Sequence, residues 1–159
     1  MKIDGHGLRE HIYLLAPLFG LIAAVWALRL ILSFADAPMG LIRVFSVTVA
    51  GSVSILFAAL LIYFKQFGGY GSIAVAALLL SLWEQVLIVG AIAFTIFTHV
   101  VNIYTAPEFG GRLSPLGHIM GHLTFGFALE GLFGAGMGCV LLWLLRKLIP
   151  KETLKDDNP

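Results

Sequence analysis

Cysteine is almost absent from this chain of 159 residues, which contains only Cys139. A single cysteine excludes an internal disulfide and any metal site built from several thiolates. Charge is scarce as well, because only 12% of the residues are Asp, Glu, Lys or Arg and the formal net charge is +1. Without a basic field, nothing in the chain would attract the phosphate backbone of a nucleic acid. We therefore do not expect nucleic-acid binding.

Signatures of common enzyme classes are also missing. The zinc-protease pattern HEXXH does not occur, since the residues between His118 and His122 are Ile, Met and Gly, and none of them can act as a base. No Gly-x-Ser-x-Gly elbow is present, and the glycine-rich segment 65–72 lacks the Lys-Ser/Thr pair of a phosphate-binding loop. These absences predict a protein that is not an enzyme.

Apolar residues, by contrast, are abundant. They make up 59% of the chain, and the mean hydropathy is +0.96, whereas soluble domains are about 45 to 50% apolar. The apolar runs are long enough to cross the roughly 30 Å hydrocarbon core of a bilayer, which takes about 20 helical residues. The sequence therefore predicts an integral, multi-pass membrane protein surrounded by lipid.

Four apolar runs predict four transmembrane helices, at about 12–34, 41–64, 72–98 and 116–149. Short links join the first three helices, so that neighbours should run antiparallel, and the longer link 99–115 is a candidate lid. Lys and Arg are more frequent near one set of helix ends, which places both termini in the cytoplasm. The predicted fold is an all-α, four-helix transmembrane bundle that forms a single domain over residues 1–159.

Two carboxyl groups, those of Glu84 and Glu130, fall inside the predicted helices. An ionised side chain is costly in the membrane centre, so such residues are functional candidates. Glu84 is as far from the end of the third helix as Glu130 is from the start of the fourth, so the two should lie at one depth. Thr95 and Asn102 continue the polar face of Glu84. The Glu pair is predicted to handle a proton or another cation; the alternative is a structural hydrogen bond between helices.

Three histidines gather near one end of the third and fourth helices. His99 ends the third helix, and His118 and His122 share one face of the fourth because they are four residues apart. Neutral imidazoles bind Zn²⁺ and Cu²⁺, so these three residues form a predicted metal site on the outer side. The alternative is that they hydrogen-bond to loop carbonyls and lipid headgroups. The sequence names no cofactor.

One further pattern of residues lies in the last third of the chain. One helix ends on His99, the link that follows carries Pro107 and Pro115, and Gly117 and His118 open the next apolar helix. This pattern is similar to that of small four-helix bacterial inner-membrane proteins of unassigned function, one group of which is associated with acid resistance. The resemblance implies a non-enzymatic protein of the bacterial inner membrane.

Two functional hypotheses follow. In the first, Glu84 and Glu130 hold a proton or cation beneath an outer cluster of the three histidines. In the second, the chain is a non-catalytic subunit that packs against a larger membrane complex or against copies of itself. The contact surfaces would then be the glycine-rich fourth helix, where Gly134 and Gly138 repeat at a spacing of four, and the small residues of the second helix.

Overall fold

The structure is a computed structural model that describes residues 2–106 and 114–149. A short antiparallel hairpin of β1 (Lys2–Ile3) and β2 (His6–Gly7) precedes the helices. The helices are α1 (Leu8–Phe34), α2 (Met39–Val44), α3 (Val47–Phe64), α4 (Tyr70–Thr98), α5 (Pro115–Gly121) and α6 (Phe127–Leu148). A π-helical turn, His122–Gly126, joins α5 to α6.

Within the described ranges, four helical segments are long and apolar enough to cross a membrane: Leu8–Phe34, Met39–Phe64, Tyr70–Thr98 and Pro115–Leu148. The second consists of α2 and α3, and the fourth consists of α5, the π turn and α6. The all-α fold with four candidate membrane spans is thereby confirmed, and each predicted limit lies within four residues of the observed one.

The second segment is interrupted just before the centre of the bundle. Phe45 leaves the helical region, with φ −87° and ψ 61°. The hydroxyl of Ser46 then accepts a hydrogen bond from the Val49 N–H at 3.4 Å and caps the start of α3. The interruption restarts the helix one turn before Gly51, which lies next to the candidate site.

α3 and α4 form the inner pair of the bundle. Each packs against α1 and against α6, and the contact between α4 and α6 is the most extensive. Glycines on α6 permit the close approach: a Cβ on Gly131 would lie 3.2 Å from Leu78, and one on Gly138 would lie 2.7 Å from Ile73. Small residues allow helix backbones to approach in this way in lipid, where dispersion contacts replace the hydrophobic effect.

The N-terminal hairpin fastens one end of the bundle. The Asp4 carboxylate accepts hydrogen bonds from the backbone N–H groups of Gly69 and Ser72, at 2.9 and 2.8 Å, and so caps the start of α4. Nearby, Arg146 at the end of α6 donates to the Gly68 carbonyl at 3.1 Å. Both ends of the described chain therefore lie at the same end of the bundle.

We call this end, with residues 2–7, 66–69 and 146–149, the terminal end, and the opposite end, with residues 99–106 and α5, the histidine end. The common position of the chain ends agrees with the antiparallel arrangement expected from the sequence. That the terminal end faces the cytoplasm stays a prediction. Lys151 and Lys155, which support it, lie outside the described residues.

The first part of the candidate lid folds back onto α4. His99 ends the helix in a left-handed conformation, φ 59°, which His adopts more readily than most residues. Asn102 is buried, and its Nδ2 donates to the Ala91 carbonyl at 2.8 Å and to the Thr95 hydroxyl at 2.9 Å. Thr95 and Asn102 thus anchor the link to its helix. The remainder of the lid, 107–113, lies outside the described residues.

Candidate functional site

Glu84 and Glu130 meet in the centre of the bundle. Glu84 lies at the middle of the 29-residue helix α4, and Glu130 near the middle of the 34-residue segment Pro115–Leu148. The two carboxyl groups converge on Gly51 of α3: a Cβ built there would collide with Oε2 of Glu84 and lie 2.7 Å from Oε1 of Glu130. The carboxyl groups are therefore neighbours at one depth, as their equal distances from the helix ends predict.

The surroundings of the pair are poor in hydrogen-bond donors. Glu84 is 0% exposed, and neither of its carboxyl oxygens has a well-oriented hydrogen-bond partner in the part of the chain that the structure describes. The Thr48 hydroxyl and the Glu130 carboxyl lie beside it. Among the described residues, Oε1 of Glu130 also lacks a well-oriented partner, whereas Oε2 accepts a hydrogen bond from Nε2 of Gln85 at 2.9 Å.

A series of side chains leads from this pair to the histidine end. Gln85 is 3% exposed; its Nε2 contacts Glu130, and its Oε1 lies 2.8 Å from Nδ1 of His122. Nε2 of His122 lies 3.2 Å from Nε2 of His118, which lies in the middle of the short helix α5. We call Glu130, Gln85, His122 and His118 the polar chain. It extends from the middle of the bundle to one end.

The polar chain has a direction, because an amide nitrogen only donates hydrogen bonds and an amide oxygen only accepts them. With Gln85 placed as described, Oε2 of Glu130 accepts and Nδ1 of His122 donates. A neutral His122 then accepts at Nε2, so that His118 must donate. Rotating the amide by 180° reverses every bond and requires a protonated Glu130. The two directions therefore correspond to Oε2 of Glu130 without and with a proton.

The π turn brings His122 to the side of α6 that carries Glu130. On a regular helix the two residues would be about 80° apart. A π turn contains one additional residue, which removes about 100° of rotation and aligns them. Gly126 lies in this turn, and a Cβ there would lie 2.9 Å from Oε1 of Gln85. Gly126 therefore leaves the space that the amide needs.

His99 does not join the other two histidines in a cluster. It is exposed at the end of α4, where its backbone N–H donates to the Thr95 carbonyl at 2.8 Å. Among residues 2–106 and 114–149, no group of three His, Cys, Asp or Glu side chains is arranged to hold a metal ion. Of the predicted three-histidine site, the structure brings together only His118 and His122.

Towards the terminal end, the surroundings of the carboxyl pair become apolar. Ser54 and Ser81 are 0% exposed, and their hydroxyl groups have no hydrogen-bond partner within the described ranges. Beyond them, Ile55 packs against Gly134 and Ile73 against Gly138. The fully buried residues in this half include Ala58, Ile62, Ala77 and Leu142.

Three residues of the site were not predicted as such. Gln85 adjoins Glu84 in an otherwise apolar run, which was the signal available for it. Gly51, one of the small residues of the second helix, and Gly126, one of the glycines of the fourth, were assigned to packing between helices. Nothing in a single sequence distinguishes a glycine that accommodates a polar side chain from one that accommodates a helix.

The glycines that the subunit hypothesis assigned to a partner are largely used within the chain. Gly131, Gly134 and Gly138 are buried against α3 and α4, whereas Gly136 has no atom within 4 Å of an added Cβ. A partner helix would therefore meet mainly the large apolar side chains of α6, which are exposed: Leu129, Leu132, Phe133 and Val140.

Comparison of the chain with known protein families, with curated proteins and with solved structures finds no match. The pattern similarity to small bacterial inner-membrane proteins stays a prediction.

Proposed function

We propose that this protein is an integral membrane protein that binds protons at Glu84 and Glu130 and exchanges them with the solution at the histidine end. The observation that supports this proposal is the polar chain, which connects a buried carboxyl pair to one end of the bundle. Within the proposal, the pattern similarity assigns the protein to the bacterial inner membrane, and the distribution of Lys and Arg places the terminal end in the cytoplasm.

The carboxyl pair is suited to hold protons rather than fixed charges. Removing a carboxylate from water costs several kcal/mol even after the protein relaxes, and two adjacent carboxylates would also repel each other. One proton between Glu84 and Glu130 gives both groups a hydrogen bond and leaves one negative charge, to which Gln85 donates. We infer that the pair alternates between one and two protons.

Gln85 acts as a gate in this proposal. An amide neither takes up nor releases a proton near neutral pH, so it transmits the direction of the hydrogen bonds without carrying the proton itself. A proton passes between His122 and Glu130 only when the amide rotates out of line and a water molecule in its place accepts a proton from one group and gives one to the other. The closeness of Gly126 and the burial of Gln85 make that rotation slow compared with motion of an exposed side chain.

The test is infrared difference spectroscopy of the protein in lipid vesicles, which detects protonated carboxyl groups by their carbonyl stretch. A change of pH should alter a buried carboxyl band in the wild type, and Glu84→Gln or Glu130→Gln should remove or reduce that change. Asp36→Asn is the matched control, because Asp36 is exposed and its φ of 51° is tolerated by Asn. A wild-type spectrum without a pH-dependent buried carboxyl band would contradict the proposal.

The orientation is tested separately by labelling introduced cysteines in a Cys139→Ser background. Lys65→Cys and Asp36→Cys place exposed thiols at the terminal and histidine ends respectively. In intact cells, an impermeant reagent should label residue 36 and not residue 65. The opposite result would place the histidine end in the cytoplasm and reverse the side from which protons enter.

A further inference from the structure

We propose that His118 and His122 also bind one transition-metal ion of the zinc class between their Nε2 atoms, and that the bound ion closes the outer end of the polar chain. The binding site is independent of the carboxyl pair. The closing effect rests on the proposed function.

The geometry of the two rings fits a shared ion. Their Nε2 atoms face each other at 3.2 Å, with ring centroids 5.0 Å apart and ring planes inclined by 33°. Tetrahedral zinc with Zn–N bonds of about 2.0 to 2.1 Å places two nitrogen ligands about 3.3 to 3.4 Å apart. On binding, the separation of the nitrogens would change by only a few tenths of an ångström, while each ring would turn so that its Nε2 lone pair points at the ion and no longer at the other ring.

Gln85 provides the outer support that a metal-binding histidine needs. Its Oε1 lies 2.8 Å from Nδ1 of His122, so that Nδ1 carries the hydrogen and the Nε2 lone pair faces His118. Gln85 is itself held by Glu130 at 2.9 Å. On metal binding, His118 would exchange its Nε2 hydrogen for one at Nδ1 through the solvent, so a neutral pair releases no net proton.

The ligand set indicates the class of ion and the strength of binding. Imidazole nitrogen suits Zn²⁺, Ni²⁺ and Cu²⁺, whereas Mg²⁺ and Ca²⁺ prefer oxygen. In the part of the chain that the structure describes, only two side chains converge on this point, which leaves positions for water. Such an open site would hold an exchangeable ion rather than a permanent structural one.

The closing effect follows from the position of His118 and His122 at the outer end of the polar chain. An ion between the Nε2 atoms would occupy the lone pairs through which His118 and His122 contact each other. A proton could then no longer pass between these rings. Zinc should therefore slow proton exchange at Glu84 and Glu130 while the carboxyl groups themselves stay unchanged.

Binding is tested by calorimetric titration of the full-length protein in lipid nanodiscs with ZnCl₂ and, as a control ion, MgCl₂. We expect one Zn²⁺ per chain and no Mg²⁺. His118→Ala and His122→Ala should each abolish uptake, whereas His99→Ala should leave it unchanged because His99 is exposed outside the pair. Absence of zinc uptake by the wild type, or equal loss in His99→Ala and His122→Ala, would overturn the proposal.

Two variants at Gln85 test the site without removing a ligand. Gln85→Leu should weaken zinc binding by about 10- to 100-fold, as loss of an outer-shell partner does. Gln85→Glu should retain binding, because a carboxylate oxygen still accepts from His122. Gel filtration of each variant checks the fold. Because Gln85→Leu and Gln85→Glu keep both histidines, they still test the site if a histidine variant does not fold. Equal affinity in both variants would overturn the support assigned to Gln85.

Infrared measurement with and without zinc distinguishes this inference from the proposed function. Glu84→Gln should bind zinc as the wild type does, since it does not contact the histidines. Zinc binding with slower exchange of the carboxyl band supports both parts of the proposal. Zinc binding with unchanged exchange overturns the closing effect, and only a missing carboxyl band counts against the proposed function itself.

Discussion

The two halves of the bundle differ in the hydrogen bonding of the polar side chains next to the carboxyl pair. In the half towards the histidine end, Gln85 and His122 are hydrogen-bonded in series. In the half towards the terminal end, the hydroxyl groups of Ser54 and Ser81 are buried without a partner within the described ranges, and an apolar layer separates them from the buried His11 and Ser72. The same four helical segments run through both halves.

In the proposed function, this difference makes the carboxyl pair accessible to protons from one side. A proton can move where hydrogen-bonding groups are in contact, and the apolar half presents a barrier several residues thick. The arrangement favours a protein that takes up and returns protons at one membrane face over one that conducts them steadily. Changes that disturb one half and not the other can test this view.

The largest effect is expected from Gly51→Ala, because its Cβ would strike the carboxyl groups of both Glu84 and Glu130. Overpacking of this kind costs about 1 to 3 kcal/mol of unfolding free energy, and it would separate the pair and change its infrared band. Gly90→Ala is the control, since nothing lies within 4 Å of its added Cβ. Chemical unfolding in detergent measures the difference. Equal stability of the two variants would contradict the observed contact.

A smaller effect is expected from changes at Gln85, the proposed gate. Gln85→Glu replaces the amide by a group that carries protons, so exchange at the carboxyl pair should become faster. Gln85→Leu removes the hydrogen bonds to Glu130 and His122. The bond to the negative charge on Glu130 contributes about 1.5 to 3 kcal/mol, so its loss should slow release of the proton by about tenfold or more. Time-resolved infrared measurement after a pH jump gives both rates. Slower exchange in both variants would argue against a gate.

A modest effect is expected at the terminal end from Asp4→Asn. The hydrogen bonds from the Gly69 and Ser72 backbones hold the pKa of the Asp4 carboxyl below its usual value of 3.8. The cap therefore stabilises the fold fully above about pH 3.8, and its contribution is lost as the pH falls through the lower folded-state pKa.

Unfolding measurements at pH 6 should show Asp4→Asn to be less stable by about 0.5 to 1 kcal/mol, and the difference should shrink near pH 3. Proton exchange at the carboxyl pair should not change, because Asp4 lies at the end of the bundle remote from the polar chain. A difference in stability that persists undiminished at low pH would show that the charge of Asp4 is not its cause.

The smallest effect is expected from Ser81→Ala. The hydroxyl is buried without a hydrogen-bond partner among the described residues, so its removal should change stability by about 1 kcal/mol or less, and in the stabilising direction. Exchange at Glu84 should remain at the wild-type rate. If Ser81→Ala slowed exchange as much as Gln85→Leu, the apolar half would contain a second path and the comparison of the two halves would fail.

The sequence by itself determined the four spans and the depth of the carboxyl pair. Bilayer thickness fixes the length of an apolar helix, so hydropathy located each segment to within four residues. The rise per residue is nearly constant along a helix. The spacing of Glu84 and Glu130 from adjoining helix ends was therefore sufficient to place them at one depth.

Only the tertiary structure decided which side chains surround that pair. The π turn at His122–Gly126 rotates the histidines towards Glu130, and a regular helical period cannot anticipate it. His99 and Asn102 both follow α4. The link folds back so that Asn102 donates a hydrogen bond to the Ala91 carbonyl, whereas His99 stays exposed and apart from His118 and His122. Depth along a helix follows from local geometry, whereas rotation about its axis depends on what packs against it, and that information is spread over the whole chain.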